Sequence, residues 1–287
     1  MQKPLRLLLQ LSAIWSALFV AVETRSAPWE FFAMDNGVGR GVWPPEQQAS
    51  VLHEIGFDGI SYNYTTAADL ARWLAELKSR QLRLYGIYLG AQIDAAPALP
   101  ADLPESVALL RGSGAVIWLT LPKPSKPGNH DEQAVQCVRQ AADLAATGGL
   151  RVVLYPHAGF YIATAEQALA LLHRVERANV GLTVNLAHEL AAGHGSRLPA
   201  IIRQVAPLLQ MVSLNGASDR SGPGWDNHIK LLGTGDYDVA ELLRVLRAVN
   251  YTGPVGLQCY NLKGEPKANL AAAHRAWTRL TAPLTPP

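Results

Sequence analysis

Short, almost wholly apolar runs alternate along this chain with longer segments whose apolar residues recur every third and fourth position. Val152-Val153-Leu154 is a run of the first kind. A strand buried on both faces needs that composition, and parallel sheets bury both faces. The pattern predicts strands over Phe31–Asp35, Gly59–Asn63, Leu82–Tyr88, Ala115–Thr120, Arg151–Tyr155, Gly181–Asn185, Met211–Asn215 and Val255–Cys259. Between them, Ala68, Leu70, Ala71, Leu74 and Leu77 make one apolar stripe. Ala168, Leu169, Leu171, Leu172 and Val175 make a second, and Val239, Leu242, Leu243 and Leu246 a third. Stripes of that period are amphipathic helices. Pro44-Pro45 before Glu46, Thr65-Thr66 before Asp69 and Asp238 before Leu242 supply start signals. Eight strands, each followed by a helix, predict a single-domain α/β protein, a (β/α)8 TIM barrel. The rival, an open doubly wound sheet, usually has fewer strands and a clearer phosphate loop.

Composition narrows the classes. The chain has 287 residues, 49% hydrophobic and 17% charged, and about 250 residues is typical of one such barrel. The net charge of +2 comes with no dense basic run, so no nucleic-acid partner is expected. At the N-terminus, Lys3 and Arg6 precede an apolar run from Leu7 to Val22, broken by Gln10, Ser12 and Ser16. A basic start and a short apolar stretch read as a secretory signal over residues 1–27, or as an anchor if uncleaved. The run is shorter than the roughly 20 residues that span a bilayer. The expected location is therefore exported, periplasmic or secreted, with membrane contact only through an uncleaved N-terminal segment. The barrel is expected over 28–282 and a disordered tail over 283–287. Cys137 falls in an outer helix and Cys259 at an inner strand end, so two separate thiols are expected.

Chemistry in a parallel barrel sits at the C-terminal ends of its strands. Those ends carry Asp35 and Arg40, Tyr62, Tyr155 and His157, Asn185 and His188, Asn215, and Gln258 and Tyr260. Imidazole titrates near neutrality, so His157 and His188 are the catalytic candidates; the plainer reading has them hydrogen-bonding under the loops. Asp35 with Arg40 is either a ligand clamp or a salt bridge. Tyr62, Tyr155, Asn185, Asn215, Gln258 and Tyr260 are the remaining substrate-binding candidates. Amides offer donors and acceptors, and aromatic faces cover sugar C–H surfaces. The glycines of Gly37–Gly41 open no helix, His188-Glu189 with His194 lacks the zinc-protease spacing, and the serines lack a nucleophile-elbow context.

Five segments carry a family likeness. They are His53-Glu54-Ile55-Gly56-Phe57-Asp58-Gly59-Ile60, Val153-Leu154-Tyr155-Pro156-His157, Asn179 to Asn185 running on to His188, Leu232-Gly233-Thr234-Gly235-Asp236-Tyr237-Asp238, and Asn250 to Gln258. In this order they resemble the xylose isomerase-like TIM barrel superfamily of sugar phosphate isomerases and epimerases, over roughly residues 31 to 280. That resemblance implies a divalent cation held by Glu, Asp, His and Glu on strands five to eight, polarising a hydroxy-carbonyl sugar while carboxylates move protons. At those places stand Tyr155, Asn185, Ser213 and Gln258, while His157 and His188 match accessory histidines. Hard cations favour anionic oxygen ligands, and the exchange leaves none. No metal and no other cofactor is therefore expected. A softer cation such as Zn²⁺ would need both histidines with Asp35 or Asp219. The resemblance and the neutral cup imply an exported carbohydrate-active enzyme. It would be sugar isomerase/epimerase-like or a keto-sugar lyase, acting by proton abstraction next to a carbonyl on a small-molecule sugar without phosphate. The alternatives are a non-catalytic sugar-binding protein on the same barrel, and a nuclease, which would need clustered metals and a basic groove. Oligomeric state is open.

Overall fold

A computed structural model describes residues 29–219 and 224–284. Eight parallel strands close into a barrel in sequence order. They are β1 Phe31–Met34, β2 Gly59–Asn63, β3 Arg83–Gly90, β4 Val116–Thr120, β5 Arg151–Leu154, β6 Val180–Asn185, β7 Leu209–Leu214 and β8 Val255–Leu257. β1 pairs with both β2 and β8, which closes the ring. The helices are α1 Pro45–Ile55, α2 Ala67–Ser79, α3 Leu103–Leu109, α4 Asp131–Thr147, α5 Ala165–Val175, α6 Leu186–Ala191, α7 Leu198–Val205, α8 Trp225–His228, α9 Val239–Ala248 and α10 Pro266–Thr281. The expected alternation is thus present. Several strands stop a residue or two earlier than the apolar pattern suggests, because Asp35, Tyr155, Asn215 and Gln258 already belong to the mouth.

The start signals work as hydrogen bonds. Thr66 caps α2 by accepting from Asp69 N, and Asp238 caps α9 by accepting from Glu241 N. Pro45 takes the first turn of α1, where a missing N–H costs nothing. Alternation along the strands splits the core in two. Phe31 and Ala33 join the layer between barrel and helices. Phe32 and Met34 point inward with Tyr85, Trp118, Val153, Tyr155 and Met211. These large side chains plug the barrel, with Phe32 stacked on Tyr85 at 4.7 Å and Trp118 edge-on to Tyr155 at 4.7 Å. Gly256 makes room for the plug, since a Cβ there would lie 2.5 Å from the Phe32 ring.

The leader or anchor expected over 1–27 and the tail residues 285–287 lie outside the described residues. Pro283 and Leu284, expected in the tail, form a short 3-10 turn with Ala282. Among the described residues no helix is long and apolar enough to cross a membrane. Cys137 and Cys259 are both free and buried.

Candidate active site

A hollow of about 250 Å³ opens above the aromatic plug, at the C-terminal mouth. That is just under the usual range of roughly 300–1,000 Å³ for small-molecule sites. Asp35, Arg40, Tyr155, His157, His188, Gln258 and Tyr260 all line it. Seven sequence candidates therefore meet in one place. Asn185 lies directly beneath, with its amide bonded to the Tyr155 hydroxyl at 2.6 Å.

Two candidates are elsewhere. Tyr62 turns outward from β2 and packs against Trp73 of α2 at 5.3 Å, inside the barrel–helix layer. Strand parity is the reason: Ser61 faces the hollow, so its neighbour cannot. Asn215 follows the last residue of β7 and is fully buried. Its amide donates to Gly216 O at 2.6 Å and His228 O at 2.7 Å, tying the β7 loop to α8. Asn36, Ser61 and Ile229 also line the hollow and were missed. Period-two counting from Phe32 through Met34 would have flagged Asn36. Ile229 had no signal, since it comes from the far end of a long loop.

The floor is a directed hydrogen-bond network. Asn185 ends β6 and caps α6, its Oδ1 accepting from His188 N at 3.1 Å. Its Nδ2 donates to Tyr155 OH and to Ser213 Oγ, each at 2.6 Å. Gln258 Oε1 accepts from Asn36 Nδ2 and from Tyr260 N. Burial holds the Tyr155 phenol well above its ordinary range; Tyr88 adds to this, while hydrogen bonds from Ser213, Gln258 and Asn185 pull the other way. Asn185 Nδ2 thus donates to the phenol oxygen, and His188 Nε2 lies 3.2 Å from it.

His188 Nδ1 is buried with no hydrogen-bond partner among the described residues. Burial, then the neighbouring His157, keeps the His188 pKa well below the usual imidazole value. His157 differs. Its Nδ1 donates to Ala158 O at 3.0 Å, which leaves the Nε2 lone pair uncommitted. Burial lowers its pKa as well, opposed by the Ala158 bond. Its ring is clamped between Phe160 at 4.1 Å and His188 at 4.0 Å. Trp225 stands edge-on to His188 at 5.3 Å and closes that side.

At the opposite wall, Asp35 accepts from Asn63 N at 2.9 Å and meets Arg40 Nε at 3.5 Å. Burial raises the Asp35 pKa, while Arg40 and the backbone donors Asn63 and Asn36 lower it. The contact to Arg40 is loose, and the guanidinium is half exposed. Among the described residues no group of three His, Cys, Asp or Glu side chains has metal-binding geometry.

The family profile described as xylose isomerase-like TIM barrel matches residues 49–280. A 3-dehydroshikimate dehydratase from Pseudomonas aeruginosa is 31% identical over 135 residues, 43% of this chain and 20% of that protein. The chain thus matches about a fifth of the length of that curated relative. Among solved structures, the D-allulose 3-epimerase from Methylomonas sp. superposes with a TM-score of 0.71 at 18% identity, covering 88% of this chain and 98% of that one. The probable 3-DHS dehydratase from Bacillus anthracis gives 0.70 at 17%, covering 87% and 98%.

Proposed function

The chain belongs to the xylose isomerase-like TIM barrel family, and on that premise we propose that it is a sugar isomerase/epimerase-like enzyme or keto-sugar lyase working by proton abstraction next to a carbonyl. The observation that carries this is His157. It is a neutral imidazole on the wall of the hollow, with one nitrogen anchored and the other free to take a proton. Its lowered pKa keeps it unprotonated at neutral pH, the state a general base needs. A proton taken from the carbon beside a carbonyl can return to either face, or a neighbouring hydroxyl can leave. These outcomes are epimerisation and elimination, and an epimerase and a dehydratase are among the similar proteins.

The other lining groups hold the ligand. Gln258 has spent its oxygen on Asn36 and Tyr260, so its NH₂ is the end available to a ligand oxygen or to Tyr155. Tyr260 offers an exposed aromatic face at the rim, and Asp35 with Arg40 offers an acceptor and donors. The ligand is a small polyhydroxylated carbonyl compound. The apolar stretch within residues 1–27 is the basis for proposing export, which the N-terminal sequence of the mature protein would check.

The test is to incubate a panel of keto-sugars and dehydro sugar acids with the protein in D₂O and follow loss of the C–H signal by NMR. The wild-type chain is expected to exchange at least one compound. His157→Gln should lower that rate by about 10²–10⁴-fold, the usual worth of a positioned base, with ligand affinity retained. Binding by calorimetry without exchange anywhere in the panel would sink the enzyme and leave the non-catalytic sugar-binding protein.

A further inference from the structure

A divalent cation needs lone pairs converging on one point. The floor of this hollow has the opposite polarity. Asn185 points its NH₂ inward, 2.6 Å from both Tyr155 OH and Ser213 Oγ, and spends its carbonyl oxygen on the first turn of α6. Gln258 likewise spends its carbonyl oxygen on Asn36 and on Tyr260 N. Both amide oxygens, the ligand atoms a hard cation would favour here, are turned away. Asn185 Nδ2 donates to the Tyr155 oxygen, which also meets His188 Nε2 at 3.2 Å. The phenol is nearly inaccessible, with 2% exposure, and burial keeps it protonated, so it offers no anionic oxygen. A cation placed among these N–H groups would be repelled, and Asp35, the carboxylate that lines the same hollow, is already engaged by Asn63 N and Arg40.

We propose that the Tyr155 hydroxyl occupies the position where the family likeness implies a divalent cation, and that this chain holds its ligand with no ion there. Tyr155 is then the keystone of an inverted site. Asn185 donates to an uncharged oxygen that also lies 3.2 Å from His188 Nε2. His188 becomes a positioning residue behind Tyr155, which leaves His157 as the group that meets the ligand.

The experiment titrates Mn²⁺ into the full wild-type chain and follows paramagnetic broadening of the His157 and His188 imidazole resonances. No saturable broadening is expected. In parallel, a variant carrying Tyr155→Glu, Asn185→Asp, Ser213→His and Gln258→Glu should bind one Mn²⁺ per chain and lose both resonances at stoichiometric ion. Saturable broadening in the wild type would overturn the proposal. So would a folded quadruple variant that leaves both resonances untouched, since these four positions would then not frame an ion site. If that variant fails to fold, the wild-type titration decides alone. Neither readout involves turnover, so a sugar panel without exchange would count against the reaction and leave this inference standing.

Discussion

His188 shows what burial does to a single side chain. Its imidazole is 3% exposed and its native pKa lies well below the ordinary value. Below about pH 6.5 the unfolded chain takes a proton that the native ring refuses, so stability falls with falling pH by up to about 1.4 kcal/mol per unit. Asp35 and Glu189 have raised pKa values and act with the opposite sign, because the native state takes their protons first. A comparison isolates the histidine. Relative to His188→Gln, the wild type should lose about 1 kcal/mol more per pH unit between pH 6 and 5 in urea unfolding; parallel pH profiles would refute the assignment. At this scale the sequence was informative about residue type and uneven about placement. Tyr62 and Tyr155 both close apolar runs, yet they face opposite sides of the barrel wall. Only counting parity from residues known to point inward separates them.

Among the elements, caps decide where the mouth loops end and the helices begin. Thr164 caps α5 by accepting from Gln167 N at 3.3 Å, and Gln167 Oε1 reaches back to Thr164 N at 3.3 Å and Ala163 N at 2.8 Å. This box closes the loop that carries His157. Thr164→Ala should cost about 1 kcal/mol in chemical denaturation. Adding Gln167→Ala should cost less than the two single losses combined, because the pair acts as one unit; strict additivity would count against the box. Helix starts of this kind were legible because a cap is a local arrangement of residues three apart. α6 was not. It begins on the residue after β6, and its cap, Asn185, also carries the floor of the site. No local pattern announces a six-residue helix that is held by its role at the mouth.

For the whole molecule, the plug inside the barrel positions the site. Trp118 is fully buried beneath Tyr155 and contacts Phe32, Tyr88 and Tyr155 at 6.0, 6.3 and 4.7 Å between ring centroids. Its indole N–H donates to Thr183 Oγ1 across the barrel. Trp118→Ala should cost about 3–5 kcal/mol, and it should also loosen Tyr155, seen as faster exchange of the buried hydroxyl proton by NMR. A stable variant with an unchanged hydroxyl signal would show that the plug carries neither stability nor position.

Alternating apolar runs and amphipathic stripes determined the barrel by themselves, because period two and period 3.6 are properties of neighbours in the chain. The same patterns determined which strand ends carry polar groups, and so that Asp35, His157, His188 and Gln258 would meet at one mouth. What the tertiary structure alone decided was direction. Whether an amide offers its oxygen or its nitrogen depends on partners far away in the chain, as for Asn36, whose Nδ2 donates to Gln258 and whose Oδ1 accepts from Cys259 N, 223 residues on. Closing the barrel brought those partners together, and in doing so it gave the floor its polarity.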